Sequence, residues 1–196
     1  MRRKEAFGTS GPRIVLRFFG STDYPETLCD DPAMVERAYA DGVPMGGRLE
    51  AGASPPRFVV SALMDPGTAS HPGTPLQRLQ IVKGWLDADT PRFRVYDVAG
   101  GDNGARVDLS TCTSTSAGEP SMCSVWTDPD HRPGQRAIYY ARAIENPSCR
   151  WHRYACNAAG VRCDQPDTIT DGFDACCDDT PGAVQERAWS SPIWVR

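Results

Sequence analysis

The sequence is short of the residues that metal-dependent and nucleophilic chemistry use. Only three histidines occur, His71, His131 and His152, each alone in a loop-like setting. A centre holding two or three metals gathers several His and Asp/Glu ligands, so no such centre, no metal or cofactor and no catalytic residue is assigned to this chain. There is no G-x-S-x-G elbow and no glycine-rich phosphate loop of standard spacing, which leaves nucleophilic and nucleotide chemistry without support. No apolar run approaches the roughly 20 residues that span a bilayer. Met1-Arg2-Arg3 does not lead into the apolar segment of a secretory signal. Positive charge is also scarce: the formal net charge is −4, and no Lys/Arg run is long enough to change that balance. That argues against a nucleic-acid partner, because phosphate backbones are bound by concentrated positive surface.

Cysteine, in contrast, is plentiful. Eight cysteines in a chain already long enough to build its own core point to an oxidising compartment. The high cysteine count and the missing signal agree if the chain is a piece of a larger exported protein, periplasmic or extracellular. Cys112 and Cys123 flank a short Gly/Pro-containing segment, and a disulfide between them is expected; closing so small a loop would stabilise by about 2.5 to 3 kcal/mol. Cys149, Cys156, Cys163, Cys176 and Cys177 crowd into residues 147–182, where large aliphatic residues are few. Such a stretch is held by crosslinks or ligands rather than by its own core. Its connectivity stays open, although adjacent Cys176 and Cys177 should reach different partners, and Cys29 is expected to join one of this group. A zinc site built from Cys149, His152, Cys156 and Cys163 is the competing reading, without the paired C-x2-C knuckles that make such a reading strong.

With 40% hydrophobic and 23% charged residues the chain has the composition of one globular domain. Ile14, Leu16 and Phe18 alternate with Arg13 and Arg17 as in a half-buried strand. Arg57 to Met64 is nearly continuous in apolar residues, as in a strand covered on both faces. Leu79, Ile81 and Trp85, then Phe93 and Val95, predict an antiparallel hairpin turning at Asp87 to Pro91. Asp30-Asp31-Pro32 starts one short helix that Gly42 stops. Residues 42–56 read as a surface loop whose Met45-Gly46-Gly47 could closely approach another chain or domain. Further strands are expected at Cys123 to Trp126 and Arg136 to Ile144, with Gln185 to Val195 pairing against the latter. The fold class expected is mainly β: an antiparallel β-sandwich spanning 1–196, with one short helix and a disulfide-rich loop lobe at 147–182.

The opening Arg2-Arg3-Lys4-Glu5 followed by Thr9-Ser10-Gly11-Pro12-Arg13, together with Ile81-Val82-Lys83-Gly84-Trp85, Val125-Trp126-Thr127-Asp128-Pro129-Asp130, Glu145-Asn146-Pro147-Ser148-Cys149-Arg150-Trp151 and Gln185 to Trp194, resembles the C-terminal region of a family of large bacterial proteins of unknown function. The N-terminal half of that family resembles PHP (polymerase and histidinol phosphatase) metallophosphoesterases. The resemblance implies that residues 1–12 are a junction from an upstream PHP-like domain, which would be the partner of this one and would carry the metal ligands.

Three functional expectations follow. The first is a non-catalytic sandwich module packing on that catalytic half. The second is an extracellular ligand- or carbohydrate-binding module, with Trp85, Trp126 and Trp151 as a stacking surface. The third is a small metal-binding protein using the Cys/His cluster. Asp128 and Asp130, with the scattered aspartates of 164–179, are weighed as calcium ligands against ordinary solvated carboxylates.

Overall fold

In the computed structural model, residues 3–50, 52–115 and 117–196 are described. Met1 and Arg2 of the opening segment, and Ser116 between Cys112 and Cys123, lie outside the described residues. The strands in chain order are β1 (Phe7–Thr9), β2 (Val15–Ser21), β3 (Val43–Pro44), β4 (Arg48–Leu49), β5 (Arg57–Leu63), β6 (Leu76–Asp87), β7 (Thr90–Gly100), β8 (Val107–Asp108), β9 (Thr113–Ser114), β10 (Ser121–Thr127), β11 (Ala137–Glu145), β12 (Ser148–Cys149), β13 (Ala183–Val184), β14 (Arg187–Ser190) and β15 (Ile193–Val195). Helices α1 (Met34–Ala40) and α2 (Trp151–Ala158) and three short 3-10 turns (Glu26–Asp30, Pro166–Thr168, Asp174–Cys177) complete the regular structure among the described residues. The protein is mainly β, as expected.

Two sheets face each other. The smaller runs β10-β5-β2-β3, all antiparallel. The larger is centred on β11, which pairs along its length with β6 of the predicted β6–β7 hairpin. The other edge of β11 takes β15 at Ala137 to Tyr139 and β14 at Arg142 to Ile144. The closing segment thus pairs where expected, but as two short strands. Pro192 lacks the N–H that a continuous ladder would use, and the Ser190 hydroxyl accepts the Ala141 N–H at the break (2.9 Å). β1 adds to β14, and β4 adds in parallel to β15.

Period-two alternation fills the space between the sheets. Leu16, Phe18, Phe58, Val60 and Ala62 from one sheet meet Leu79, Ile81, Tyr139, Ala141 and Ala143 from the other, all buried. Phe58 stands at the centre, 5.4 Å from Phe18 and 4.5 Å from Tyr139 between ring centroids. A second, smaller core lies on the opposite face of the small sheet, where Phe19 and Val59 are capped by Tyr24, Leu28 and Ala38 of the α1 region. This explains why β5 reads as continuously apolar: both of its faces are covered.

Several expectations need correction. Pro32 does not open α1; the helix begins at Met34, and Asp31 caps from outside by accepting the Ala33 N–H (2.8 Å) and pairing with Arg37 (2.7 Å). A second helix, α2, occupies the stretch expected to be loop. Trp151, Tyr154, Ala155 and Ala158 follow the helical period, a signal the aspartate- and cysteine-rich composition of the stretch masked; that face stays exposed and Cys156 is the helix's only buried residue. Residues 43–49 carry β3 and β4 instead of a free loop. Gly46 sits at φ +86, and a Cβ there would lie 2.3 Å from the Lys4 carbonyl oxygen, so its close approach is to its own chain.

The disulfides differ most. The predicted Cys112–Cys123 bond does not form, and Cys29 does not join the distal group. Cys29 pairs with Cys123, Cys112 with Cys149, Cys156 with Cys176 and Cys163 with Cys177. Cys123 lies on β10 opposite Ser61, one residue out of phase with inward Met122 and Ser124, so it faces the α1 side, where Cys29 stands. Cys112 belongs to the 107–114 hairpin, beside β12 and its Cys149. Four disulfides point to an oxidising, extracellular or periplasmic setting. Among the described residues no helix is long and apolar enough to cross a membrane.

Candidate functional site

The outer face of the large sheet has no covering layer comparable to α1. Its composition follows from register, since residues directly opposite share a face. One row runs Phe93, Gly84, Ile138, Trp194; the next runs Val95, Val82, Tyr140; a third runs Asp97, Gln80, Arg142, Trp189. Phe93 is 78% exposed, and Val95, Ile138 and Trp189 are each more than a third exposed. Gly84 forms the floor of a groove of about 460 Å³ between Phe93 and Ile138; a Cβ there would stand 3.1 Å from Ile138 Cγ1. The third row is polar and poorly satisfied. Gln80 donates to Asp97 (2.7 Å), but its Oε1 has no hydrogen-bond partner and neither does Nε of Arg142, while Nε of neighbouring Arg78 has only a 3.9 Å ion-pair contact with Asp97. Buried polar atoms without partners are uncommon in folded proteins and call for an explanation such as a ligand, a water or a docked surface.

Inside the sandwich, at the end where the β6–β7 hairpin turns, lies a second polar cluster. Lys83 points inward from β6 in register with Ile81 and Trp85 and is 2% exposed. It donates to Asp128 Oδ2 (2.7 Å) and to the Asp130 carbonyl (2.8 Å). Tyr139 donates to the same Asp128 oxygen (2.7 Å), while Asp128 Oδ1 accepts the Asp130 N–H (2.9 Å). Asp130 Oδ2 accepts from Tyr96 (2.5 Å) and Arg94 (2.8 Å). Burial, then the bond to Asp128, pushes the Tyr139 hydroxyl far above its ordinary range; burial, then Asp130, does the same for Tyr96. Both phenols therefore stay protonated donors. The Tyr96 hydrogen bond, ahead of the Arg94 charge, lowers the Asp130 carboxyl. The cluster holds charge in place; every oxygen of Asp128 is engaged within the protein.

A third network closes the opposite end of β11. Gln77, Asn103, Asn146 and Gln185 interlock: Gln77 Nε2 donates to Asn103 Oδ1 (2.9 Å), Asn103 Nδ2 to Asn146 Oδ1 (2.9 Å), and Gln185 Nε2 to Gln77 Oε1 (2.9 Å). Glu145 is 2% exposed beside them with Oε1 unpartnered. Burial, assisted by the charges of Glu186 and Asp65, raises its carboxyl to about 8.

The sequence matches, over residues 1–196, the family described as a protein of unknown function, DUF3604. The chain belongs to the DUF3604 family. Comparison with curated proteins and with solved structures returns no match.

In this DUF3604 domain the three tryptophans expected to share a ligand surface are dispersed. Trp85 lines the groove beside Phe93 and also the cavity above Lys83. Trp126 is packed between Phe58 and Tyr96, with ring centroids 6.2 and 4.7 Å away, and serves the core. Trp151 stands on α2, 82% exposed. The Cys/His cluster is not available as a thiolate set, because Cys149, Cys156 and Cys163 are each bridged to another cysteine. Among the described residues, no three His, Cys, Asp or Glu side chains form a metal-binding group. Asp128 and Asp130, read as calcium candidates, are instead the acceptors for Lys83, Arg94 and two tyrosines. Sequence reasoning missed Lys83 altogether. The available signal was its phase: a lysine between Ile81 and Trp85 on the inward face of a strand requires a buried carboxylate.

Proposed function

We propose that the domain is a non-catalytic module of an exported, PHP-like metal-dependent hydrolase, docked on the metal-binding half through the outer face of its large sheet. One observation carries this reading: that face exposes Phe93, Val95, Ile138 and Trp189. A contiguous apolar patch rimmed by polar groups marks an interaction surface. The four disulfides support the exported setting. The family resemblance supplies the identity of the docked half, and in this reading the reaction belongs to that half.

The test has two parts. The purified 196-residue chain, supplied with manganese or zinc, should not hydrolyse p-nitrophenyl phosphate. Co-expressed with a metal-binding half encoded in the same protein, it should form a stable one-to-one complex that Val95→Asp with Ile138→Asp abolishes, while the doubly substituted chain keeps its melting temperature. Hydrolysis by the chain alone, or a complex indifferent to those substitutions, overturns the reading. A second reading, an extracellular carbohydrate-binding module, is favoured by the exposure of Trp151, since a ring so fully presented to solvent offers a face for stacking.

A further inference from the structure

A buried ion pair is weak evidence for stability, because desolvating both charges offsets most of their attraction. The Lys83–Asp128 pair is therefore better understood by what it positions. It fixes the loop after β10 at three points: the Asp128 carboxylate, the Asp130 N–H and the Asp130 carbonyl. That loop continues as Arg132-Pro133-Gly134-Gln135. Gln135 N–H donates back to the Arg132 carbonyl (3.0 Å), with Gly134 at φ +77. Proline second and a left-handed glycine third are what a type II turn requires, and the turn brings Arg132 and Gln135 side by side. Both line a cavity of about 180 Å³ whose remaining walls are Lys83, Trp85, Arg94 and the Asp130–His131 pair. His131 is tied back to the Gly52 carbonyl (3.2 Å).

The charge of this cavity is lopsided. Its lining has three cationic side chains and one carboxylate, Asp130, which already accepts from Tyr96 and Arg94. Lys83 is matched by Asp128. Arg132 makes no ion pair within 4 Å among the described residues, although its charge helps lower the Asp130 carboxyl, and only one arm of the Arg94 fork is engaged. Guanidinium donors lining a small cavity suit an oxyanion, which accepts several such bonds at once. Trp85 adds an aromatic wall for the apolar body of a ligand.

We infer that this cavity binds a small oxyanion, a carboxylate or phosphate group received by Arg132, Arg94 and Gln135 with Trp85 against its body, and that Lys83–Asp128 is the buried device that sets the receiving loop. The inference does not depend on the docking role proposed above, since the cavity opens at the hairpin end and uses none of the outer-face rows.

Calorimetric titration of the intact chain at fixed ionic strength, with inorganic phosphate in one series and glucuronate in another, tests it. Saturable binding of at least one, weakened about ten-fold or more by Arg132→Ala, is expected, since a charge-assisted bond of this kind contributes well over 1 kcal/mol. Phosphate alone binding would identify a bare oxyanion site, and glucuronate binding more tightly would identify a ring-bearing carboxylate. Arg132 is exposed, so its substitution should leave the melting temperature unchanged. Lys83→Met should weaken binding as well; should that variant not fold, Arg132→Ala alone decides the test. Absence of saturable heat for both probes, or binding unaffected by Arg132→Ala, overturns the inference.

Discussion

The outer faces of the two sheets were built from the same kind of strand and ended differently. On the small sheet, Phe19 and Val59 point outward and are covered: α1 and the preceding turn lay Tyr24, Leu28 and Ala38 over them, and Cys29–Cys123 bolts that layer to β10. On the large sheet, Phe93, Val95, Ile138 and Trp189 point outward into solvent. The buried polar atoms without partners follow the same division. Arg78, Gln80, Arg142 and Glu145 all belong to β6 and β11 of the large sheet, and among the described residues none belongs to the small one. A sheet that is finished in isolation satisfies its polar atoms and hides its apolar ones. By that criterion one side of this sandwich is complete and the other is left open, as the proposed docking role requires.

The sharpest way to break the contrast is to unfasten the covered side. Cys29 and Cys123 are 94 residues apart in sequence, so their bond constrains a large loop of the unfolded chain, and the chain-entropy account gives about 4 to 5 kcal/mol for a loop of that size. Cys29→Ser combined with Cys123→Ser should lower unfolding free energy by about 4 kcal/mol in denaturant titration. Amide exchange should accelerate first in residues 24–40, because their cover on Val59 and Phe19 has lost its anchor. If exchange rises first in β6 and β11 instead, the small sheet is not the finished side.

How much of this division was legible in the sequence depends on which physical signal carried it. The apolar continuity of Arg57 to Leu63 announced a strand covered twice, and the alternation in Leu79, Ile81, Phe93 and Val95 announced the hairpin, because side-chain phase is written in the sequence at period two. Disulfide partners were not legible. Cys112 and Cys123 are close in the chain, but the pairing of β10 with β5 carries Cys123 to the far side of the small sheet, and only the sheet order reveals that. Lys83 was legible in principle from its inward phase, whereas its partner Asp128, distant in sequence on a loop, was not. The helix α2 was legible in principle from Trp151, Tyr154, Ala155 and Ala158 at helical spacing, but that face is exposed, and a disulfide with hydrogen bonds from Arg153 and Asn157 to the Leu109 carbonyl (both 2.9 Å) holds the helix instead.

In the polar network at the end of β11, Glu145 provides a smaller and oppositely signed effect. Its carboxyl titrates at about 8 in the folded protein, against an ordinary value of 4.5. Below about pH 4 the group is protonated in both states and costs nothing. As pH rises from there, the unfolded chain releases the proton while the fold retains it, so stability falls by about 1.4 kcal/mol per pH unit until the folded group titrates too. Glu145→Gln, which keeps the shape and removes the titration, should match the native chain at about pH 4 and exceed it by about 3 kcal/mol at about pH 7. Equal stability differences at the two pH values would mean that Glu145 is ionised in the fold and has partners within it.

The smallest expected effect is also the most informative about the two faces, because it compares like with like. Val59 on the covered face is fully buried; truncating it to alanine removes buried methyl groups and leaves a void under the α1 layer, at a cost of about 2 kcal/mol. Phe93 on the bare face is the larger side chain, yet Phe93→Ala should change unfolding free energy by less than about 0.5 kcal/mol, since a ring already in water loses little on removal. A larger loss at Phe93 would mean that the ring packs against its neighbours in the isolated domain, and the face would then be finished after all. A negligible loss leaves a solvent-facing phenylalanine beside a groove floored by Gly84, with no contribution to the domain's own stability to account for it. That is the outcome the proposed docking role of this face predicts.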